Sequence, residues 1–245
     1  MNTAKTRSDL FVPADTEAPG RTVPRWKRIL DITCIVLSLP GWLPVMIGIA
    51  LWIKVVSPGP IFFYQERVGF RGRRFLIRKF RTMKVDAETL CHERHLEQLM
   101  QTNRPMTKLD AADPRIIRGG RILRALGVDE LPQLFNVLHG EMSLVGPRPC
   151  TLREFQAYEP WQRARVQALP GLTGYWQVNG KNRTTFTEMI QMDLFYTRAM
   201  SLTLDTMILL RTLPALLGQF LESRRAVRER ARIPRCADHA VPSAV

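Results

Sequence analysis

Apolar residues are unevenly spread along this chain, and their longest concentration, ITCIVLSLPGWLPVMIGIALWI from Ile32 to Ile53, carries no charge. As a straight helix it reaches roughly 33 Å at about 1.5 Å per residue, which matches a bilayer core. Pro40 and Pro44 fall near its middle with Gly41 between them. Each proline removes a helix hydrogen bond and crowds the preceding turn, so the pattern predicts a helix bent near Pro40. The Ser38 hydroxyl is placed to bond a carbonyl one turn back, which helps to satisfy the backbone in an apolar medium. The run is too long and starts too late for a cleavable signal peptide, and no small-x-small site follows it.

Both flanks of this segment are basic, with Arg25, Lys27 and Arg28 before it and Lys54, Arg67 and Arg71 after it. A spanning helix leaves its positive residues mainly on one side, so equal flanks favour a helix that enters, turns and leaves on the same face. The alternatives are a kinked helix crossing once and a buried core helix.

Before this segment, Met1 to Thr22 lacks apolar periodicity and is expected to be a disordered leader. After it, Ser57-Pro58-Gly59-Pro60 predicts a rigid exit turn, and Ile61–Tyr64 and Phe75–Ile77 predict a β-hairpin or two short strands. Val85 to Met100 predicts a helix with a wet face, and Gln101 to Asp113 a polar loop. Helices are expected over Gly119–Ala125, Leu131–Leu138, Thr151–Ala168 and Thr185–Arg198. Leu202 to Leu221 is apolar but interrupted by Asp205, Arg211 and Pro214, which suits an interfacial helix or, equally, a core helix. An arginine-dense stretch runs from Glu222 to Arg235; it suits anionic headgroups or is a solvated charge run.

Composition narrows the partners. The 245 residues hold 36 Lys and Arg against 22 Asp and Glu, a net charge of +14, which points to polyanions such as nucleic acid or lipid headgroups. Cys34, Cys91, Cys150 and Cys236 show no paired spacing, which speaks against a disulfide framework or zinc ribbon. Cys91, His92 and His95 lack the spacing by which two helical histidines share one zinc, so a solvated helix face is the expectation there.

The block GVDELPQLFNVLHGEMSLVGPRP, from Gly127 to Pro149, carries the chemistry. Asp129 and Glu130 precede Leu131-Pro132, and proline favours the first turn of a helix, so the two carboxylates are expected at a helix N-terminus. There the helix dipole favours an ionised Asp, as nucleophile or metal ligand, although acidic residues at helix starts are also ordinary caps. Basic residues shift the balance: Arg118, Arg121 and Arg124 upstream, Arg148 between two prolines, and Lys79 and Arg81 in KFRTM. Arginine grips phosphate bidentately and lysine adds a point charge. A carboxylate facing a phosphoryl group meets repulsion that a divalent cation, expected to be Mg2+, would relieve. No Walker loop or dinucleotide fingerprint occurs.

Taken together, KRILD, SPGPIFFYQERVG, KFRTM, DELPQLFNVLHGEMSLVGPRP and PGLTGYWQVNGKN followed by Asp193 and Tyr196 resemble the bacterial sugar transferases, the monotopic polyprenyl-phosphate phosphoglycosyl transferases. The match runs from about Lys27 to Leu210. The resemblance implies a mostly helical α+β fold: a re-entrant N-terminal membrane helix, a small cytoplasmic catalytic domain with a short β-hairpin, and a C-terminal interfacial helix. Divided along the chain, that is a leader over 1–24, the membrane helix over 25–56, the catalytic domain over 57–215 and a basic tail over 216–245. It implies transfer of a sugar phosphate from a UDP-sugar to polyprenyl phosphate, with release of UMP, at the cytoplasmic face of a bacterial inner membrane, as the first membrane step of exopolysaccharide or related glycan synthesis. By this likeness Asp129 is the nucleophile and a magnesium contact and Glu130 assists, while Lys79, Arg81, Arg124, Arg148, Gln177 and Asn179 bind substrate or its phosphates.

The implied partners are UDP-sugar, polyprenyl phosphate and membrane lipid, and no nucleic acid; a homo-oligomer is left open. Gly127-Val128 stands where Ser or Thr and an apolar residue are common, and Leu39 separates Ser38 from Pro40 where the family often has Ser-Pro. The four-helix membrane preface of longer members is not seen, so the chain resembles the short form. Two other readings are a membrane-tethered polyanion binder in which the dyad only caps a helix, and a transferase in which the lipid phosphate attacks directly.

Overall fold

Arg25–Val56 forms one helix, α1, that runs through Pro40 and Pro44 without a break in its helical backbone. This is a computed structural model, and it describes residues 22–84, 100, 102, 105, 113 and 115–232. The leader up to residue 21, the expected helix over 85–99, most of the loop to 113, the Cys91, His92 and His95 group and the tail beyond residue 232 lie outside the described residues. α1 is continuous at Pro40, where the sequence predicts a bend, and two side chains flanking that proline bond carbonyls of the preceding turns. Ser38 Oγ bonds the carbonyls of Cys34 (2.6 Å) and Ile35 (3.3 Å), as its sequence position suggests, and Trp42 Nε1 reaches back to Ile35 O (3.1 Å).

The buried positions of α1 are Lys27, Asp31, Ile35, Trp42, Met46, Ile49 and Ile53, a seam at helical spacing along one side. Away from that seam Ile29, Val36, Leu37, Ile47, Leu51 and Val55 are exposed. A helix apolar all round with one side on protein leaves its remaining apolar surface for another phase, which fits membrane anchoring. Among the described residues α1 is the one helix long and apolar enough to cross a membrane.

β1 (Phe62–Val68) pairs antiparallel with β2 (Arg74–Phe80), from Phe62 opposite Phe80 to Val68 opposite Arg74. Both strands outrun their apolar cores, because Gln65-Glu66-Arg67 and Arg78-Lys79 extend the ladder. A second pair escaped the sequence pattern: β3 (Ser143–Val145) lies parallel to β4 (Gly171–Thr173). Three-residue strands are too short to show periodicity, but glycine marks the spot. A β-carbon on Gly146 would stand 2.1 Å from Leu169 O, so only glycine allows this approach.

The other helices are α2 (Gly120–Leu126), α3 (Gln133–Leu138), α4 (Leu152–Ala157), α5 (Pro160–Arg163), α6 (Tyr175–Val178), α7 (Phe186–Ala199) and α8 (Leu202–Arg232). The single helix expected over Thr151–Ala168 is instead α4, α5 and a 3-10 turn. Tyr158 and Glu159 are extended, and Pro160 restarts the helix at its first position. α8 continues through Pro214, so the boundary drawn between 215 and 216 falls inside a helix. Its start is neither purely interfacial nor purely core: Asp205 and Ile208 are buried, while Leu210 and Leu213 are exposed.

One apolar cluster joins the α1 seam to Ile77 and Phe80 of β2, Val137 of α3 and Ile208 of α8. A second lies under α4 and α7, around Phe155, Trp176 and Met189. The α1 seam also begins with ions. Lys27, 1% exposed, donates to Asp205 Oδ2 (2.5 Å), the Tyr196 hydroxyl (2.8 Å) and Val145 O (2.8 Å). One turn on, Asp31 accepts from Ser143 Oγ and Leu144 N, both at 2.9 Å. Arg28 donates to the carbonyls of Val137 and Leu138. Lys27, Arg28 and Arg67 therefore do not act as free flanking charges, which corrects the count of basic flanks: these cations are bonded within the protein.

Candidate active site

α2 ends on Gly127, whose φ of 71° is left-handed and suits glycine, and the chain turns at once into a 3-10 turn, Val128–Glu130. Glu130 N bonds Gly127 O and Leu131 N bonds Val128 O, each at 3.2 Å. Pro132 follows as the residue flanking α3. The dyad therefore sits in its own turn ahead of α3, not in that helix's first turn. Leu131 and Pro132 keep helical backbone angles, but Pro132 has no N–H to carry the hydrogen-bond ladder back to the dyad turn. Asp129 and Glu130 are both half-buried.

The hairpin faces this turn. Lys79 on β2 donates to Glu130 Oε1 at 2.6 Å, with 23% and 35% of the two side chains exposed. Arg124, in the last turn of α2, reaches Thr82 Oγ1 at 3.5 Å just past β2. Arg118 and Arg121 are exposed. Arg81 is engaged elsewhere. It is 5% exposed and donates to Pro60 O (2.6 Å), Ser57 Oγ (2.9 Å), Ser57 O (2.9 Å) and Pro58 O (3.0 Å). Its guanidinium holds the turn that follows α1, so the residue expected to bind substrate phosphate is placed on that turn.

Arg148 lies in a loop clamped along its backbone. The carbonyls of Pro147, Arg148, Pro149 and Cys150 accept in turn from Gly171 N (2.9 Å), Arg165 Nη2 (2.9 Å), Arg67 Nη1 (3.2 Å) and Val68 N (2.9 Å). The Arg148 side chain donates to Glu154 Oε1 at 2.6 Å, and Arg67 stands 3.7 Å from the other oxygen. Glu154 also closes a capping box with Thr151 at the start of α4. Burial raises its carboxyl, but Arg148 and Arg67 outweigh that and hold it down to about 2. Arg165 is buried against Asp193 and the Tyr158 hydroxyl (2.7 Å to the latter). Burial pushes the Cys150 thiol up to about 11, which makes it inert as a nucleophile.

Gln177 and Asn179 lie at the end of α6. Gln177 Nε2 donates to Leu172 O (3.2 Å), and its Oε1 is buried with no hydrogen-bond partner. Asn179 Nδ2 donates to Tyr175 O (2.9 Å), and its Oδ1 accepts from Arg211 on α8 (3.5 Å). α8 packs against both α2 and α6, which links this corner to the helix that precedes the dyad. The structure thus gathers Lys79, Arg124, Asp129 and Glu130, puts Arg148 on a rigid neighbouring loop, and places Arg81 against the turn that follows α1. The sequence names Arg67 only as a flanking charge and does not single out Glu154. The Thr151-x-x-Glu154 capping pattern was readable, but nothing in it named Arg148 as the partner.

Asp129 and Glu130 supply two adjacent carboxylates, and among the described residues no His, Cys, Asp or Glu cluster of three or more could hold a metal ion. That donor set suits magnesium, which takes one or two protein carboxylates and fills its shell with water and substrate phosphate oxygens.

Comparison with known proteins gives the family. Residues 22–219 match the family model described as bacterial sugar transferase. The chain is 42% identical over 192 residues to the galactosyl transferase CpsE of Streptococcus agalactiae serotype III, covering 78% of this chain and 42% of that protein. It is 34% identical over 212 residues to the exopolysaccharide production protein ExoY of Sinorhizobium fredii, covering 84% and 91%. To the UDP-glucose:undecaprenyl-phosphate glucose-1-phosphate transferase of Xanthomonas campestris pv. campestris it is 41% identical over 203 residues, covering 79% and 39%. It thus spans less than half of the first and third relatives and nearly all of ExoY. A family match over most of the chain, on the segments that build the dyad turn, the hairpin and the clamped loop, means that this protein belongs to the bacterial sugar transferase family.

Proposed function

We propose that this protein transfers a sugar 1-phosphate from a UDP-sugar to polyprenyl phosphate at the cytoplasmic face of the bacterial inner membrane, initiating exopolysaccharide or a related glycan. The observation that carries the reading is the Asp129–Glu130 turn, half-buried, set against Lys79 and beside Arg124, in a chain of this family. An Asp129 carboxylate oxygen attacks the β-phosphorus of the donor. The bond from that phosphorus to the bridging oxygen breaks, and UMP leaves with the electron pair. An oxygen of the lipid phosphate then attacks the same phosphorus, the aspartyl bond breaks, and polyprenyl diphosphate sugar departs with Asp129 regenerated.

Lys79, Arg124 and Arg148 neutralise the phosphoryl oxygens, and the Glu130–Lys79 pair fixes the orientation of both side chains. Magnesium, held by Asp129 with Glu130 assisting, would lower the repulsion between carboxylate and diphosphate. Gln177 and Asn179 bind substrate from the α6 corner, where the unpartnered Gln177 Oε1 offers an acceptor. Re-entry of α1 is supported by protein contacts near both of its ends: Lys27 and Asp31 on β3, α7 and α8, and Trp52 Nε1 on Arg118 O (3.4 Å).

The test uses full-length protein in detergent with a panel of UDP-sugars. Wild type should release UMP, retain labelled sugar phosphate on Asp129 when no polyprenyl phosphate is supplied, and surrender it when the lipid is added. Asp129→Asn should lose both adduct and turnover. Turnover without any trapped adduct would replace the covalent route by direct attack of the lipid phosphate. Native-rate transfer by Asp129→Asn would remove the dyad from the mechanism.

A further inference from the structure

On the hairpin's inner face Phe75, Ile77 and Lys79 stand in one row, with Arg67 opposite Phe75. Leu76 and Arg78 alternate with that row, and the Leu76 carbonyl and Arg78 N–H point from the edge of β2 that faces away from β1. A two-stranded sheet leaves such an edge without a partner strand, and its polar groups need partners where water is excluded. Here the partner is a side chain. Asn136 of α3 donates from Nδ2 to Leu76 O (2.7 Å) and accepts at Oδ1 from Arg78 N (3.1 Å). Its amide bonds groups two residues apart, as one residue of a parallel strand does.

Asn136 is fully buried, and an Asn inside a helix lowers helix stability because its side chain competes for backbone bonds. Burying the amide costs more still unless its groups are met. The second Nδ2 proton goes to Glu141 Oε2 (2.6 Å), on the loop that follows α3, so both donors and the acceptor are engaged. Asn136 O accepts from Glu141 N (3.0 Å) and Met142 N (3.3 Å), which ties that loop to the same residue. Packing alone would be served better by an apolar side chain, such as Leu134 and Val137 of the same helix.

The place of this clip bears on the dyad. Lys79 follows Arg78 directly, and Glu130 lies in the turn ahead of α3. The segments 78–79 and 130–136 are therefore joined at both ends, Asn136 to Arg78 and Glu130 to Lys79. The Lys79–Glu130 pair is partly exposed, and an ion pair so open to water does not by itself hold two long side chains in one geometry. The buried amide does, because sliding β2 along α3 would leave Leu76 O, Arg78 N and the Asn136 side chain unsatisfied.

We infer that Asn136 is a positioning residue of the transfer reaction: its amide sets the register of β2 against α3 and so fixes Lys79 against the dyad, with Glu141 orienting the amide. The inference rests on the proposed function for what Lys79 does there; the clip itself stands on geometry.

Two measurements on full-length protein in detergent separate these parts. Hydrogen exchange, read by mass spectrometry on peptides spanning β2, reports the clip without turnover. Asn136→Ala should expose Arg78 N–H and speed its exchange about tenfold or more, with α7 unchanged. Unchanged exchange in β2 overturns the clip.

UMP release, with polyprenyl phosphate and the UDP-sugar that wild type uses best, then reports the coupling. Asn136→Ala should lower kcat about tenfold or more in wild type and less than about twofold in a Lys79→Met background, because both changes disable one contact. Glu141→Ala should give a smaller loss, about threefold, that also vanishes beside Lys79→Met; it carries the test if Asn136→Ala does not fold. Losses that multiply in the double variants mark a merely structural role and overturn the inference. Full-rate transfer by Lys79→Met would refute the role given to Lys79, and with it the positioning role, while the exchange result still decides the clip.

Discussion

Individual side chains in this protein do sharply different work at similar distances. Lys27–Asp205 and Lys79–Glu130 are 2.5 and 2.6 Å pairs, but the first is buried to within 1% and the second keeps 23% and 35% of its side chains exposed. Removing Lys27 leaves a buried uncompensated carboxylate, a loss of about 3–5 kcal/mol. Lys27→Met should therefore lower the melting temperature by roughly 10 °C. Lys79→Met should alter stability by less than about 1 kcal/mol, as exposed pairs do, yet reduce transfer tenfold or more. Thermal melts and UMP release on the same two preparations check both. Glu154 supplies a pH signature. Its carboxyl titrates near 4.5 in an unfolded chain and about 2 in the fold. As pH falls below about 5 the unfolded chain binds a proton that the folded one refuses, so stability declines through that window down to about 2. The contribution is about 3 kcal/mol above pH 5, and it should vanish from the acid-denaturation profile of Glu154→Gln, which keeps the capping box.

At the scale of elements, α1 is the unusual one. A seam of seven buried positions makes it part of the main apolar cluster, and the rest of its surface is an apolar exterior. Both of its ends contact the protein, so under the re-entrant reading single cysteines introduced at Thr22 and Tyr64, in a chain whose four native cysteines are replaced, should react with an impermeant thiol reagent from the same side of the membrane. Opposite accessibility would establish a single crossing. The hairpin is the other deciding element. It carries Lys79 to the dyad and Arg67 to the clamped loop, and its reach comes from polar residues that a search for apolar strands stops short of.

For the whole molecule, the consequence is that anchor and catalytic region are one folding unit. Ile35, Trp42, Met46, Ile49 and Ile53 share a cluster with Ile77, Val137 and Ile208, and Lys27 bolts the helix to β3, α7 and α8. A chain lacking residues 25–56 should lose the cooperative melt of the full-length protein and become protease-sensitive, rather than survive as a soluble domain. Cooperative melting of that fragment would show that α1 is a detachable tether.

Part of this architecture is legible in the sequence alone. Charge-free length marks the anchor, Ser38 is placed for its back-bond, and five ordered motifs carry the family and point to Asp129 and Glu130. Short-range chemistry writes itself into short stretches of sequence. What only the tertiary structure decided was who partners whom. Arg81 belongs to the exit turn, Lys27 to a buried ion pair, Arg148 to Glu154, and Arg67 to the far end of the hairpin's inner face. A guanidinium's role depends on which carboxylate or carbonyl the fold brings to it, and such partners lie far off in the chain, as the 178 residues between Lys27 and Asp205 show for an ammonium. Periodicity and spacing report a residue's own environment along its element, and they are silent about the element packed against it.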